Sequence, residues 1–84
     1  MVTTWDGPKR LANLDKHGLD FASVDPEFFA DAVVIPAAKG RFKAIGYLAG
    51  VLTVVVIFAP LGTEAISIIS LRRAKAKERG LPDG

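Results

Sequence analysis

The 84-residue chain contains no cysteine. That removes disulfide staples, thiolate nucleophiles and the tighter zinc sites together. With a single histidine, a metal centre is not expected, nor is any other cofactor. The opening "MVTTWDGPKR" is not read as a signal peptide, because its charges begin at Asp6 and no apolar core follows directly. Size sets a further limit. A single domain over residues 1–84 buries only about 60–65% of its unfolded surface, so its stability is expected to be marginal and a partner chain is a natural source of help.

Net charge is small, at +2, but unevenly placed. Residues 1–70 hold six Lys/Arg against seven Asp/Glu, whereas residues 71–84 hold five (Arg72, Arg73, Lys75, Lys77 and Arg79) against Glu78 and Asp83. The basic end is where a polyanion would be met.

What the chain has in quantity is apolar sequence. From Ala44 to Thr63 no side chain is charged, and about 20 apolar residues would suffice for a helix across a membrane. A single-pass span near 44–63 is therefore one reading. Composition argues for another. Pro60 and Gly62 interrupt the run, and "VLTVVVIF" (51–58) is nearly all β-branched or aromatic, as a buried strand is. Cut at its breakers, the segment becomes three strands, 41–47, 51–58 and 64–70, joined by hairpin-length links "LAG" and "APLGT". Short links make the sheet antiparallel.

Ahead of the sheet, "WDGPKRLANLDKHG" carries helix punctuation: Asp6 or Gly7 at the start, Pro8 in the first turn, Gly18 after the end. Leu11 and Leu14 are expected to face the core, with Trp5 packed on Leu11 as a staple. Asp20 and Asp25-Pro26 open two further short turns or helices, with a break at Pro26. Phe21, Val24, Phe28 and Phe29 are the expected core anchors. "AVVI" (32–35), ending at Pro36, is a candidate edge strand. At the other end, "LRRAKAKERG" reads as a basic helix stopped by Gly80 and Pro82, with Leu71 and Ala74 on the sheet. The expected fold is α+β: a small antiparallel sheet of three or four strands, N-terminal helices and a C-terminal basic helix.

The segment "WDGPKRLANLDKHGLDF" resembles the opening W-D-x-x-K-x-x-x-N-x-x-K-H-G of BrnT-type toxins, and "RFKAIG", a Val-rich strand and "IISLRRAKAKER" follow in that family's order. The likeness spans roughly residues 4 to 79. It implies a fold similar to RelE ribonucleases and a cytoplasmic toxin that cuts RNA. It further implies a hetero-oligomer with a BrnA-like antitoxin, through which alone DNA is contacted. The chain has Leu61 and Ser67 where many relatives carry arginine, and its loop before Arg41 is shorter. Those departures leave open a second implied reading, a binding module that keeps the antitoxin and has lost catalysis.

Cleaving RNA without a metal requires deprotonating a 2′-hydroxyl, protonating the leaving oxygen and offsetting charge on the phosphate. His17, the one side chain of the type that changes charge near neutrality, is the first candidate general acid or base; its other reading is a helix-end residue bonding free carbonyls. Arg72 and Arg73 are candidates for forked phosphate contact in catalysis. Lys9 and Lys16, seven apart on one helix side, and Arg41 are candidate RNA contacts. Asn13, four before His17, either orients that ring or faces water. Asp6 is first of all a helix cap. Aromatics able to stack on bases are few, Trp5 and Tyr47 among them, and most are needed in the core.

Overall fold

The structure is a computed structural model that describes residues 2–49 and 52–83, with the side chains of Pro82 and Asp83 outside the description. The long uncharged run is sheet. β3 (Phe42–Leu48) and β4 (Leu52–Leu61) form an antiparallel hairpin, and β5 (Ala65–Arg73) returns antiparallel to β4. The described residues of 44–63 thus fall on two strands and their turns, and among the described residues no helix is long and apolar enough to cross a membrane. Gly50, the last residue of the expected link "LAG", and Val51, the expected first residue of the strand 51–58, lie outside the described residues.

Two more strands complete the sheet. β2 (Val33–Pro36) pairs antiparallel with β3 at one edge, as expected. β1 (Val2–Trp5), not expected from the sequence, pairs parallel with β5 at the other. The result is a five-stranded mixed sheet of order β1-β5-β4-β3-β2, which corrects the expectation of three or four antiparallel strands. β4 and β5 also run further than expected. Pro60 sits inside β4 because β3 begins only at Phe42, opposite Phe58; beyond that point one side of β4 is open and a proline is tolerated. Leu71, Arg72 and Arg73 extend β5 opposite Val56, Val55 and Val54, so the C-terminal helix starts later, as α3 (Ala76–Asp83), and runs through Gly80 instead of stopping there.

α1 (Gly7–His17) opens on Asp6, whose carboxylate accepts from the Lys9 N–H at 3.1 Å, and closes on Gly18 in the left-handed region (φ 69°). A 3-10 turn (Phe21–Ser23) capped by Asp20 follows, then α2 (Pro26–Asp31) capped by Asp25, with the break at Pro26 in place. These elements cover one face of the sheet. Phe21, Val24 and Phe28 pack with Ala44, Val54, Val56, Phe58, Ile66, Ile68 and Leu71 in the main core, with Trp5 and Phe29 at its border. Ile45 and Val55, on the opposite face, are also fully buried, on the side where α3 contacts β3.

Two expectations for α1 fail. Leu11 is 67% exposed and Leu14 is 40% exposed, and the buried residue of the helix is Asn13. Trp5, held in β1, packs edge-on against Phe21 and carries Arg10 over its ring at 5.6 Å. The helix is thus turned to dock by a polar contact at the sheet edge, leaving its leucines outward.

Gly46 shows how closely α2 sits on β3. A Cβ there would lie 3.2 Å from both Ala32 Cβ and Phe28 Cε1. Gly46→Val is expected to lift α2 from the sheet and destabilise by about 1–3 kcal/mol through overpacking, measurable by urea unfolding.

Candidate functional site

α1 runs beside β5 just past the end of β1. β1 pairs with β5 only as far as Trp5 opposite Ile68, which leaves the backbone of Leu71 without a strand neighbour on that side. Asn13 takes the missing place. Its Nδ2 donates to Leu71 O at 2.9 Å and to Leu19 O at 3.0 Å, while Oδ1 accepts from the Leu71 N–H at 3.1 Å and from Ser70 Oγ at 3.5 Å. Side-chain amide and backbone thus pair as two strands would, and α1 is locked to β5. Asn13 neither orients His17 nor faces water.

The polar stripe of α1 then lies along β5. Lys9, Ala12, Asn13, Lys16 and His17 form one wall, and Ile69 and Ser70 the other, of an open groove of about 260 Å³. Three of the six sequence candidates, Lys9, Lys16 and His17, meet here. His17 is half-buried, and among the described residues its ring makes no hydrogen bond to the free carbonyls of its helix. Gly18 N–H, not the imidazole, satisfies Leu14 O at 2.8 Å.

The remaining candidates lie elsewhere. Arg72 and Arg73 are consecutive residues of a strand, so their side chains leave opposite faces and do not form one fork. Arg73, opposite Val54, is exposed. Arg72, opposite Val55, is engaged: its Nη1 and Nη2 donate to Glu78 Oε1 and Oε2 at 2.8 and 2.9 Å. Glu78 also accepts from the Lys75 N–H at 2.9 Å and from Lys43 Nζ at 3.5 Å. Arg41 sits in the turn before β3, with β4 between that strand and β5. Among the described residues no three His, Cys, Asp or Glu side chains come together as metal ligands would.

Sequence reasoning passed over Glu78, Lys43 and the structural role of Asn13. A signal for Asn13 was present: positions 9, 13, 16 and 17 share one helical face, so a groove built from Lys9, Lys16 and His17 must include it. Glu78 stands three residues after Lys75, whose N–H it accepts, but nothing local marked its other partners, which stand on two different strands.

Two carboxylates are strongly stabilised as anions. Hydrogen bonds from Arg72 first, then from the Lys75 N–H, pull Glu78 from 4.5 to about 2 against the opposing effect of burial. Those from Arg10 (2.7 and 2.9 Å), then from the Ala22 N–H, bring Asp20 from 3.8 to about 2. A carboxylate whose pKa is lower in the folded chain stabilises it above the ordinary value and loses that contribution as pH falls through the folded one. The melting temperature is therefore expected to drop between pH 4.5 and 2, and the Glu78→Gln curve, lower at neutral pH, to approach the wild-type curve by pH 2.

A second concavity, of about 250 Å³, lies between α2 and the end of β3 and is lined by Asp25, Glu27, Asp31, Phe28, Tyr47 and Ala49. Its acidic lining repels a polyanion, so the two concavities differ in the partners they admit.

Comparison with known proteins now bears on the groove. None of the curated proteins compared matches the chain. The family model described as "Ribonuclease toxin, BrnT, of type II toxin-antitoxin system" matches residues 5–78. A crystal structure of the Brucella abortus ribonuclease toxin BrnT shares 47% sequence identity with a TM-score of 0.84, over 89% of this chain and 99% of that one. With both groove walls and the strands β2 to β5 inside the matched region, the chain belongs to the BrnT family of ribonuclease toxins from type II toxin–antitoxin systems.

Proposed function

We propose that the chain is an endoribonuclease that cleaves RNA with its own side chains and without a metal, and that a BrnA-like antitoxin holds it inactive in a hetero-oligomer in the cytoplasm. The observation that carries the catalytic part is the groove where Lys9, Lys16 and His17 meet along β5. In this reading His17 exchanges the proton between the attacking 2′-hydroxyl and the leaving 5′-oxygen. Lys9 and Lys16 hold the phosphate and offset its growing charge, work that position and electrostatics suffice to do. Arg72, Arg73 and Arg41 are too dispersed to share that phosphate; they contact the RNA backbone on either side. DNA is reached only through the antitoxin. Helices packed over a sheet with an antiparallel centre, followed by a C-terminal helix, support the kinship with RelE-type ribonucleases.

The test is expression of the chain alone and together with its adjacent reading frame's product. Growth arrest and RNA fragmentation are expected alone, with rescue on co-expression, and purified protein should cut RNA in the presence of a chelator. Normal growth and intact RNA would overturn the catalytic reading. Leu61, apolar and 50% exposed at the end of β4, favours the second reading, a catalytically silent module that still binds an antitoxin. Stable co-purification without any RNA cleavage would select it.

A further inference from the structure

The donors around Glu78 exceed what fastening a helix requires. Arg72 offers two N–H groups, Lys75 a backbone N–H and Lys43 an ammonium, yet the Lys43 contact is 3.5 Å. Charge-assisted N–H···O bonds are ordinarily about 2.7–2.9 Å. Oε1 is shared between Arg72 and the Lys75 N–H, and Oε2 between Arg72 and Lys43, so the planar carboxylate seated in the Arg72 fork meets Lys43 only at this longer distance. Two positive side chains also face one negative charge, so the cluster retains an excess of positive charge.

The two sides of this contact differ in how firmly they are held. Lys43 stands on β3 and Arg72 on β5, both fixed by ladders to β4, where their partners are Ile57 and Val55. Glu78 comes from α3, an eight-residue helix with Gly80 inside it and Leu81 45% exposed. A glycine inside a helix weakens it relative to alanine. The cations are fixed and the anion is replaceable.

A phosphodiester carries the same single charge as a carboxylate but spreads it over a tetrahedral group. Its two non-bridging oxygens stand farther apart than a carboxylate's and each can accept more than one donor, so both can occupy the Arg72 fork while one also turns to Lys43. A carboxylate from a protein partner would only repeat the geometry of Glu78. We infer that Lys43, Arg72 and the backbone N–H of Lys75 form a phosphate-binding site for RNA, which the Glu78 carboxylate occupies in the free chain. This rests on the RNA reading above and adds a self-restraint to it: RNA must displace Glu78 to enter the site. Because Arg72 keeps Glu78 ionised down to about pH 2, the occupant leaves in exchange for another anion, not by protonation near neutrality.

The test uses the full chain and a cleavage-resistant 2′-O-methyl oligoribonucleotide of about ten nucleotides, a length within the usual single-strand footprint. Glu78→Gln is expected to bind it roughly 3–10-fold tighter at low salt, with a salt dependence steeper by about 0.7 for each additional phosphate bound. Glu27→Gln, the same charge change in the acidic cleft, should bind like wild type, and the double variant Arg72→Gln/Glu78→Gln should lose the tighter binding. Thermal melts check folding. Should Glu78→Gln unfold, Glu78→Asp, which withdraws the carboxylate by one methylene, takes its place with a smaller increase in affinity expected. An increase no larger than that of Glu27→Gln, or one that survives removal of Arg72, overturns the inference. So does an increase seen with an oligoglutamate probe but not with the oligonucleotide, which would assign the site to a protein carboxylate. Wild-type cleavage of unmodified RNA is scored separately. Cleavage without tighter binding by Glu78→Gln refutes this site alone, and tighter binding without cleavage by any variant supports the site and refutes the catalytic reading.

Discussion

Asn13→Ala is expected to lower the melting temperature by roughly 15–25 °C, following from a loss of about 3–4 kcal/mol in a domain of this size. Asn13 is 7% exposed, and its amide satisfies Leu19 O and both backbone groups of Leu71. Truncation strands a buried donor and two buried acceptors at the junction of α1 and β5, each costing about 1–3 kcal/mol when unpaired. Against a total stability of about 5–10 kcal/mol this approaches unfolding. Asn13→Asp separates the polar loss from the lost volume. It keeps an acceptor for the Leu71 N–H but turns a carboxylate oxygen towards two carbonyls, which only the protonated acid can answer by donating. The pKa of the introduced acid is therefore raised by folding. The Asp variant should be most stable below about pH 4, the ordinary value for that side chain, and weaken as pH rises. Thermal melts between pH 3 and 7 would show that slope opposite in sign to the one expected from Glu78.

His17→Ala should reduce RNA cleavage at neutral pH by about 10²–10⁴-fold while leaving the melting temperature nearly unchanged. The second half of that statement comes from the geometry. The ring is half-buried at the end of α1, among the described residues it makes no hydrogen bond, and the helix terminus is closed by Gly18. No hydrogen bond among the described residues depends on the imidazole. A role in proton transfer predicts a fall in kcat with KM little changed. Lys9→Ala and Lys16→Ala should instead act on KM and its salt dependence, because they hold charge and move no proton. Single-turnover cleavage of a short RNA across enzyme and salt concentrations distinguishes the two patterns.

The parts of the fold readable from sequence are those whose cause is local. Asp6 and Gly18 bound α1 because capping needs only neighbouring residues, and Pro26 breaks the chain where its ring forbids a helix to continue. Val-rich β4 declared itself by composition. What failed depends on distant partners. β1 is four residues, "VTTW", whose only reason to be a strand is β5, paired from Val2 to Ala65. Leu71–Arg73 are good helix formers and run into more of them in "AKAKER", yet the apolar length of β4 gives them a ladder to extend, and that ladder outweighs propensity. The site divides in the same way. Lys9, Lys16 and His17 could be grouped by helical spacing, whereas Arg72 and Arg73 could not be parted until they were known to lie on a strand.

The parallel pairing of β1 with β5 also sets the order in which the molecule is assembled. During synthesis β1 and α1 leave the ribosome well before β5, the strand that seats them: Val2 waits for Ala65, and Asn13 for Leu71. The β2–β3–β4 meander can close from near neighbours, while the N-terminal edge requires an intervening loop of some sixty residues to be drawn shut, the slow kind of contact in folding. One wall of the Lys9–His17 groove is Ile69 and Ser70. A nascent chain stalled before those residues therefore carries every catalytic candidate of α1 and has no groove to place them in.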